Sequence, residues 1–220
     1  MNFQHSSRED LKQGASRYGI TLDEKSLSFF QTYREILTDW NKKVNLISRR
    51  DIDRFVFYHL LDSLKVASCF DMSSVSRMLD FGSGAGLPGI PLAIAFPHIE
   101  TVLVDSRKKR CTFLETVVHT IPLLHAHVLC SRIENLSPHF NEYFDLVITR
   151  ATVRLKQFFL SNHHFIHRGG SLISIKGNAI ENEFVALQSI PDASYFHIKQ
   201  TVPKDVKNVR SGKIIIITRI

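Results

Sequence analysis

Residues 77–94 read Arg77-Met-Leu-Asp-Phe-Gly-Ser-Gly-Ala-Gly-Leu-Pro-Gly-Ile-Pro-Leu-Ala-Ile94. A short apolar run ending near Asp80 reads as a strand; a glycine-rich turn follows, then a helix-compatible apolar segment. Glycines at 82, 84 and 86 let the chain turn sharply and bring backbone N–H groups against a ligand. The dinucleotide fingerprint G-x-G-x-x-G needs a third glycine at position 87, which is Leu87 here. The spacing G-x-G-x-G, with Asp80 just before it, suits a ligand without a pyrophosphate, such as S-adenosyl-L-methionine. Asp105 ends the next candidate strand, 23 residues after Gly82, where a carboxylate can accept hydrogen bonds from ribose hydroxyls. The plain alternative is a tight strand–helix turn with an incidental aspartate.

Outward from this turn, short apolar runs alternate with helical ones. Candidate strands are Arg77–Phe81, Thr101–Asp105, Ala126–Cys130, Phe144–Thr149, Ser171–Lys176, Tyr195–Val202 and Lys213–Arg219. Pro91–Phe96, Lys108–His119, a short piece at Ile133–Leu136, and Leu155–Ile166 fit helices between the first five. Such alternation predicts parallel strands with right-handed crossovers. Only Pro203–Gly212 separates the last two strands, too short for a crossover helix, so they pair antiparallel at one edge. Residues 1–76 read as helical: Leu27, Phe30, Tyr33, Leu37, Trp40 and Val44 step by three and four. A second helix is expected near Asp51, with Phe55, Val56, His59, Leu60 and Leu64 on one face. The expected fold is α/β, with a seven-stranded sheet, a terminal antiparallel hairpin and an N-terminal helical extension. The expected division is 1–76 for the extension and 77–220 for the sheet domain.

Composition fits this reading. The chain has 220 residues, 44% hydrophobic and 22% charged, which excludes disorder or fibrous structure for the whole chain. No apolar run approaches the ~18 residues of a membrane span, and Met1–Arg8 lacks the apolar centre of a secretory signal. A soluble, cytoplasmic protein is expected. The formal charge is +7. The first 76 residues carry 11 basic and 10 acidic side chains, and residues 77–150 carry seven of each. Residues 151–220 hold ten basic against four acidic, an excess that points to an acidic partner such as nucleic acid. Cys69, Cys111 and Cys130 are odd in number and widely spaced, which supports neither a disulfide framework nor a zinc cluster. Buried free thiols are expected instead.

The motifs together resemble the bacterial RsmG (GidB) family. Asp80–Ile94 is similar to that family's cofactor loop, and W-N-K-K-V-N-L at Trp40–Leu46 to the end of its amino-terminal helix. H-L-L-D-S-L at His59–Leu64, V-D-S-R-K-K-R at Val104–Arg110 and T-R-A at Thr149–Ala151 match further segments in order. The resemblance implies a class I, Rossmann-like methyltransferase that uses S-adenosyl-L-methionine. Its implied target is N7 of a guanine in 16S ribosomal RNA, guanine 527 of the 530 loop in the usual numbering. It also implies cofactor contacts at Gly82, Leu87, Ile133, Glu134 and Arg150, beside Gly84, Gly86 and Asp105 from the loop reading. The family pattern has arginine followed by histidine before the last strand, where this chain has Arg210-Ser-Gly-Lys213.

Guanine N7 has an in-plane lone pair and loses no proton on methylation, so no general base is assigned. Arg150, at a strand's carboxyl end, is a candidate to hold the cofactor carboxylate or an RNA phosphate. His59 and Asp62 lie three apart on one helical face and either order the N-terminal helices over the pocket or form a structural pair. Arg107 to Arg110, with Arg107 and Lys108 foremost, are candidate RNA contacts. Lys199, Lys204, Lys207, Arg210 and Lys213 around the hairpin are further candidates. His163, His164 and His167 include an i,i+4 pair, yet no carboxylate accompanies them and no metal is expected. The expected partner is 16S ribosomal RNA or the small subunit, with no membrane. Rival readings are a methyltransferase for a small molecule or protein, and a non-catalytic RNA-binding module. An oxidoreductase is disfavoured by Leu87.

Overall fold

The computed structural model describes residues 5–123, 125–150 and 153–220. Helices α1 (His5–Arg17) and α2 (Glu24–Asn41) come first. A π-helical stretch, Val56–Leu61, then runs into α3 (Asp62–Leu64). The remaining elements are β1 (Arg77–Phe81), α4 (Gly89–Ala95), β2 (Glu100–Asp105), α5 (Lys108–Thr120), β3 (Ala126–Cys130) and β4 (Phe144–Arg150). They continue with α6 (Leu155–Asn162), β5 (Ile166–Lys176), α7 (Glu181–Gln188), β6 (Phe196–Thr201) and β7 (Lys213–Arg219).

The sheet order is β3-β2-β1-β4-β5-β7-β6. Strands β1 to β5 pair parallel, and β7 runs antiparallel between β5 and the edge strand β6. The order reverses between β1 and β4, the crevice where open α/β sheets bind ligands. Ile214 and Ile216 of β7 join one core while Ile215 and Ile217 join the other. That period of two, apolar on both faces, makes β7 an interior strand.

One face of the sheet is covered by the N-terminal helices together with α4 and α5, and the other by α6 and α7. The N-terminal segment shares the first core: the Tyr33 ring meets Phe55 edge-on at 5.6 Å, and Trp40 meets Phe113 of α5 at 5.9 Å. The predicted stripe holds for Leu27, Phe30, Tyr33 and Leu37, but Val44 lies beyond the helix. The helix stops because the Asn41 side chain takes the N–H groups of Leu46 and Ile47.

The structure corrects the expected elements in three places. Helix α1 lies within the stretch that reads as helical, but no apolar stripe marks its bounds, since its buried apolar positions are only Leu11 and Ala15. Helix α7 was missed for the same reason, with Leu187 alone buried. Ile166 opens β5 instead of closing α6, and register shifts between Phe144 and Leu146 accommodate the extra residues. Among the described residues no helix is long and apolar enough to cross a membrane.

The fully buried Tyr33 hydroxyl donates to the Ala85 carbonyl at 2.5 Å, fastening α2 to the glycine turn. Tyr33→Phe leaves that carbonyl buried without its partner. Chemical denaturation is expected to show a loss of ~1–3 kcal/mol, and a loss under 0.5 kcal/mol would show that the bond contributes little.

Candidate active site

The carboxyl ends of β1, β2, β3 and β4 converge on the glycine turn. Gly82, Gly84 and Gly86 take φ values of +70°, +57° and +80°, a region that disfavours side chains. The turn is bonded mostly to itself and to β2. Ser83 N–H donates to the Val104 carbonyl, Gly84 N–H to Asp105 Oδ2, and the N–H groups of Gly86 and Leu87 to the Ser83 carbonyl. These four N–H groups therefore do not point at a ligand as the sequence reading expected. What the turn offers there is room.

Asp80 lies beneath the turn, fully buried. Its Oδ2 accepts from Gly89 N–H at 3.0 Å, and a Cβ on Gly89 would stand 2.6 Å from that oxygen. Its Oδ1 has no partner. Burial pushes the carboxyl up to about 7, against the pull of the Gly89 bond and of the Arg150 charge.

Asp105, 5% exposed, lies at the adjoining strand end. Its Oδ1 accepts from Arg107 N–H at 2.8 Å, and Oδ2 takes Gly84 N–H and, at 3.4 Å, Arg110 Nη1. One donor on Oδ1 leaves acceptor capacity on that oxygen. A cleft of about 360 Å³ opens here, lined by Phe81, Gly82, Val104, Asp105, Ile133 and Glu134 among others. Its volume and its mixture of apolar wall and carboxylate fit a nucleoside-sized ligand.

The other side of the crevice is closed by side chains far apart in sequence. Arg150 Nη1 donates to Asp62 Oδ2 at 3.3 Å and to the Tyr58 carbonyl at 3.4 Å. Arg150 Nη2 lies 3.0 Å from His59 Nδ1. Arginine has only donors, so Nδ1 accepts and the proton sits on Nε2. Burial, reinforced by the Arg150 charge, pushes His59 down to about 3. The imidazole is neutral near pH 7, with Nε2 3.7 Å from Asp51 Oδ2. Asp62 also takes Lys65 Nζ at 2.6 Å, and both residues are at most 5% exposed.

Residues 26–211 match the family model described as rRNA small subunit methyltransferase G (GidB). The chain belongs to this family. A ribosomal RNA small subunit methyltransferase G of Chromobacterium violaceum is 38% identical over 168 residues, 76% of this chain and 78% of the relative. One from Thermoanaerobacter sp. is 35% identical over 181 residues, 81% of this chain and 75% of its own. A solved tRNA methyltransferase of Aquifex aeolicus is similar in fold alone. Its TM-score is 0.55 at 12% identity, over 86% of this chain and 76% of that one.

Within this methyltransferase G fold, the expected site residues fall into three groups. Gly82, Asp105, Ile133 and Glu134 line the cleft, with Glu134 exposed and Ile133 buried. Gly84 abuts it through Asp105, while Gly86 and Leu87 close the turn from the core side. Arg150 ends β4, already bonded to the N-terminal segment; Ala151 of the T-R-A motif lies outside the described residues.

Of the RNA candidates, Arg107, Lys108, Lys204 and Lys207 are exposed. Arg210, also exposed, is ion-paired to Asp51 at 2.9 Å, and the half-buried Lys213 to Glu181 at 2.6 Å. The histidine cluster does not form a helical pair. α6 ends before His163, and His167 in β5 binds Asp145 at 2.7 Å. Among the described residues no group of possible metal ligands assembles. Cys130 is exposed and Cys69 only partly buried, unlike Cys111, which donates to the Asp105 carbonyl. The sequence reading missed Tyr33, Lys65 and Asp51; Tyr33 reaches Ala85, while Lys65 and Asp51, besides near neighbours in the chain, reach the distant Arg210.

A buried Asp80 has a consequence for stability. Between about pH 4 and 7 the folded protein holds a proton that the unfolded chain releases. This group's contribution is therefore complete below pH 4 and is lost as the pH rises towards 7. Asp80→Asn is expected to remove that slope, at most ~1.4 kcal/mol per pH unit, from urea-denaturation curves compared with wild type. His59 contributes with the opposite sign to both proteins and cancels in the comparison. Parallel curves would mean that Asp80 is charged when folded.

Proposed function

We propose that this chain transfers a methyl group from S-adenosyl-L-methionine to N7 of a guanine in small-subunit ribosomal RNA. The observation that carries this reading is the cleft between the glycine turn and Asp105, in a chain of the methyltransferase G family. The cofactor supplies an electrophilic methyl on a sulfonium. Phe81, Val104 and Ile133 wall an apolar slot suited to the adenine ring, with Glu134 at its rim. Asp105, whose Oδ1 is oriented by Arg107 N–H, would accept from the ribose hydroxyls. Gly82 leaves space for the methionine portion.

Arg150 uses three of its five N–H donors internally. The remaining two, one on Nη2 and one on Nε, are available to a carboxylate. Their guanidinium is held in place before any ligand arrives, which lowers the ordering cost of binding. No residue needs to remove a proton from the base, and His59, neutral with Nδ1 occupied, is not placed to act as one. The rate then rests on aligning N7, methyl carbon and sulfur, in a field set by the surrounding carboxylates and dipoles.

Arg107, Lys108, Lys204 and Lys207 supply cationic contacts for the RNA backbone. Arg210 and Lys213 join them only by exchanging a carboxylate for a phosphate. A ribosomal substrate implies action in the cytoplasm.

Gly82→Asp places a side chain and a negative charge at a φ of +70° against the cleft. Isothermal calorimetry with S-adenosyl-L-methionine is expected to show at least ~10-fold weaker binding, ~1.4 kcal/mol, with far-UV circular dichroism unchanged. Wild-type affinity in a folded variant would remove the turn from the cofactor site.

A further inference from the structure

The near-neutral balance of the first 76 residues conceals a local excess. Residues 42–54 hold Lys42, Lys43, Arg49, Arg50 and Arg54 against only Asp51 and Asp53, while most other acids of the segment lie on or beside α1 and α2. The fold turns this stretch into a fixed ledge. Asn41, 3% exposed, accepts from Leu46 and Ile47 N–H at 2.8 and 3.0 Å and donates to the Ile47 carbonyl, so the loop after α2 is pinned from below.

Beside the ledge, Arg54 and Arg210 both lie over the Tyr58 ring, at 4.2 and 4.6 Å from its centroid. Asp51 bridges them, with Oδ1 3.3 Å from Arg54 and Oδ2 2.9 Å from Arg210. One carboxylate serves two guanidinium groups, and a net positive charge remains. Arg49, Arg50 and Lys43 are exposed and have no ion-pair partner among the described residues. The carbonyl of Tyr58 itself accepts from Arg150 Nη1, so the ledge stands one residue away from the proposed transfer site.

We propose that this ledge is a second RNA-backbone contact surface, binding phosphates that flank the nucleotide presented at Arg150. The inference rests on the ribosomal RNA reading given above, and it adds the N-terminal segment to a surface otherwise assigned to Arg107, Lys108 and the hairpin. An ordinary solvated basic face would carry flexible cations paired along one helix. Here Arg54 and Arg210 come from segments more than 150 residues apart and are stacked on an aromatic ring, which fixes their planes. Less rotamer freedom is lost when such a fork meets a phosphate. The ledge and the exposed Lys204 and Lys207 thus flank the junction where Arg210 meets Asp51, and an RNA strand crossing it meets cations from both segments.

Fluorescence anisotropy with a labelled small-subunit rRNA fragment, titrated over a range of potassium chloride concentrations, tests this surface. Each phosphate contact contributes ~0.7 to ~0.9 to the slope of log affinity against log salt, depending on strandedness. The double variant Arg49→Gln/Arg50→Gln is expected to bind the fragment about tenfold more weakly, with the slope reduced by ~1 to ~2. Its affinity for S-adenosyl-L-methionine, read by calorimetry, should equal that of wild type. RNA affinity and slope equal to wild type would overturn the ledge. If Lys204→Gln/Lys207→Gln weakens binding while Arg49→Gln/Arg50→Gln does not, the hairpin carries the RNA without the ledge, the ledge is overturned and the ribosomal reading stands. A wild-type protein that binds the cofactor but not the fragment overturns both.

Discussion

Three parts of the chain meet at the Asp62 carboxylate. Its Oδ1 receives Lys65 and its Oδ2 receives Arg150, while Lys65 also reaches the Arg210 carbonyl. Burying such charges costs several kcal/mol per ion, offset only where geometry and further hydrogen bonds are good. Loss of one partner would leave an uncompensated buried charge, so the N-terminal segment, the end of β4 and the β6–β7 connection are constrained together. The position of Arg150 follows from this. It is held by the N-terminal segment as much as by its own strand, and the crevice beside β1 acquires a second wall.

The same segment reaches the other side of the crevice through Tyr33, whose hydroxyl holds the glycine turn at Ala85. Asp80 supports that turn from beneath through Gly89. The turn is thus fixed from α2, from β1 and, through Gly84 and Asp105, from β2. With the N–H groups of Ser83, Gly84, Gly86 and Leu87 so engaged, it presents a concave surface instead of a full ring of donors. That suits a sulfonium ligand better than a pyrophosphate, which would need those donors. The N-terminal helices are accordingly structural members of the site, and their shared core with α4 and α5 makes them inseparable from the sheet's packing.

Strands β1, β3 and β7 were legible to the residue, β1 and β7 because apolar positions packed on both faces leave little freedom of register. The glycine turn and Asp105 were legible because their chemistry is local in sequence. Helix α7 and the bounds of α1 were not, because these helices bury so few apolar residues that the helical period is weak. The set around Arg150 was only half visible. Asp62 and His59 stood out by spacing, but Lys65, Tyr33 and Asp51 acquire their meaning from partners brought close by folding. Charge misled in both directions. The hairpin's Arg210 and Lys213 turned out to be paired, while the exposed arginines at 49 and 50 were hidden in a neutral sum.

The transfer itself can be read directly. The protein is incubated with small-subunit ribosomal RNA and methyl-labelled S-adenosyl-L-methionine, the RNA is digested to nucleosides, and the label is located by mass spectrometry. A guanine-N7 methyltransferase yields N7-methylguanosine as the labelled nucleoside. Label on another nucleoside, or no label in RNA from a protein that binds the cofactor, contradicts that activity.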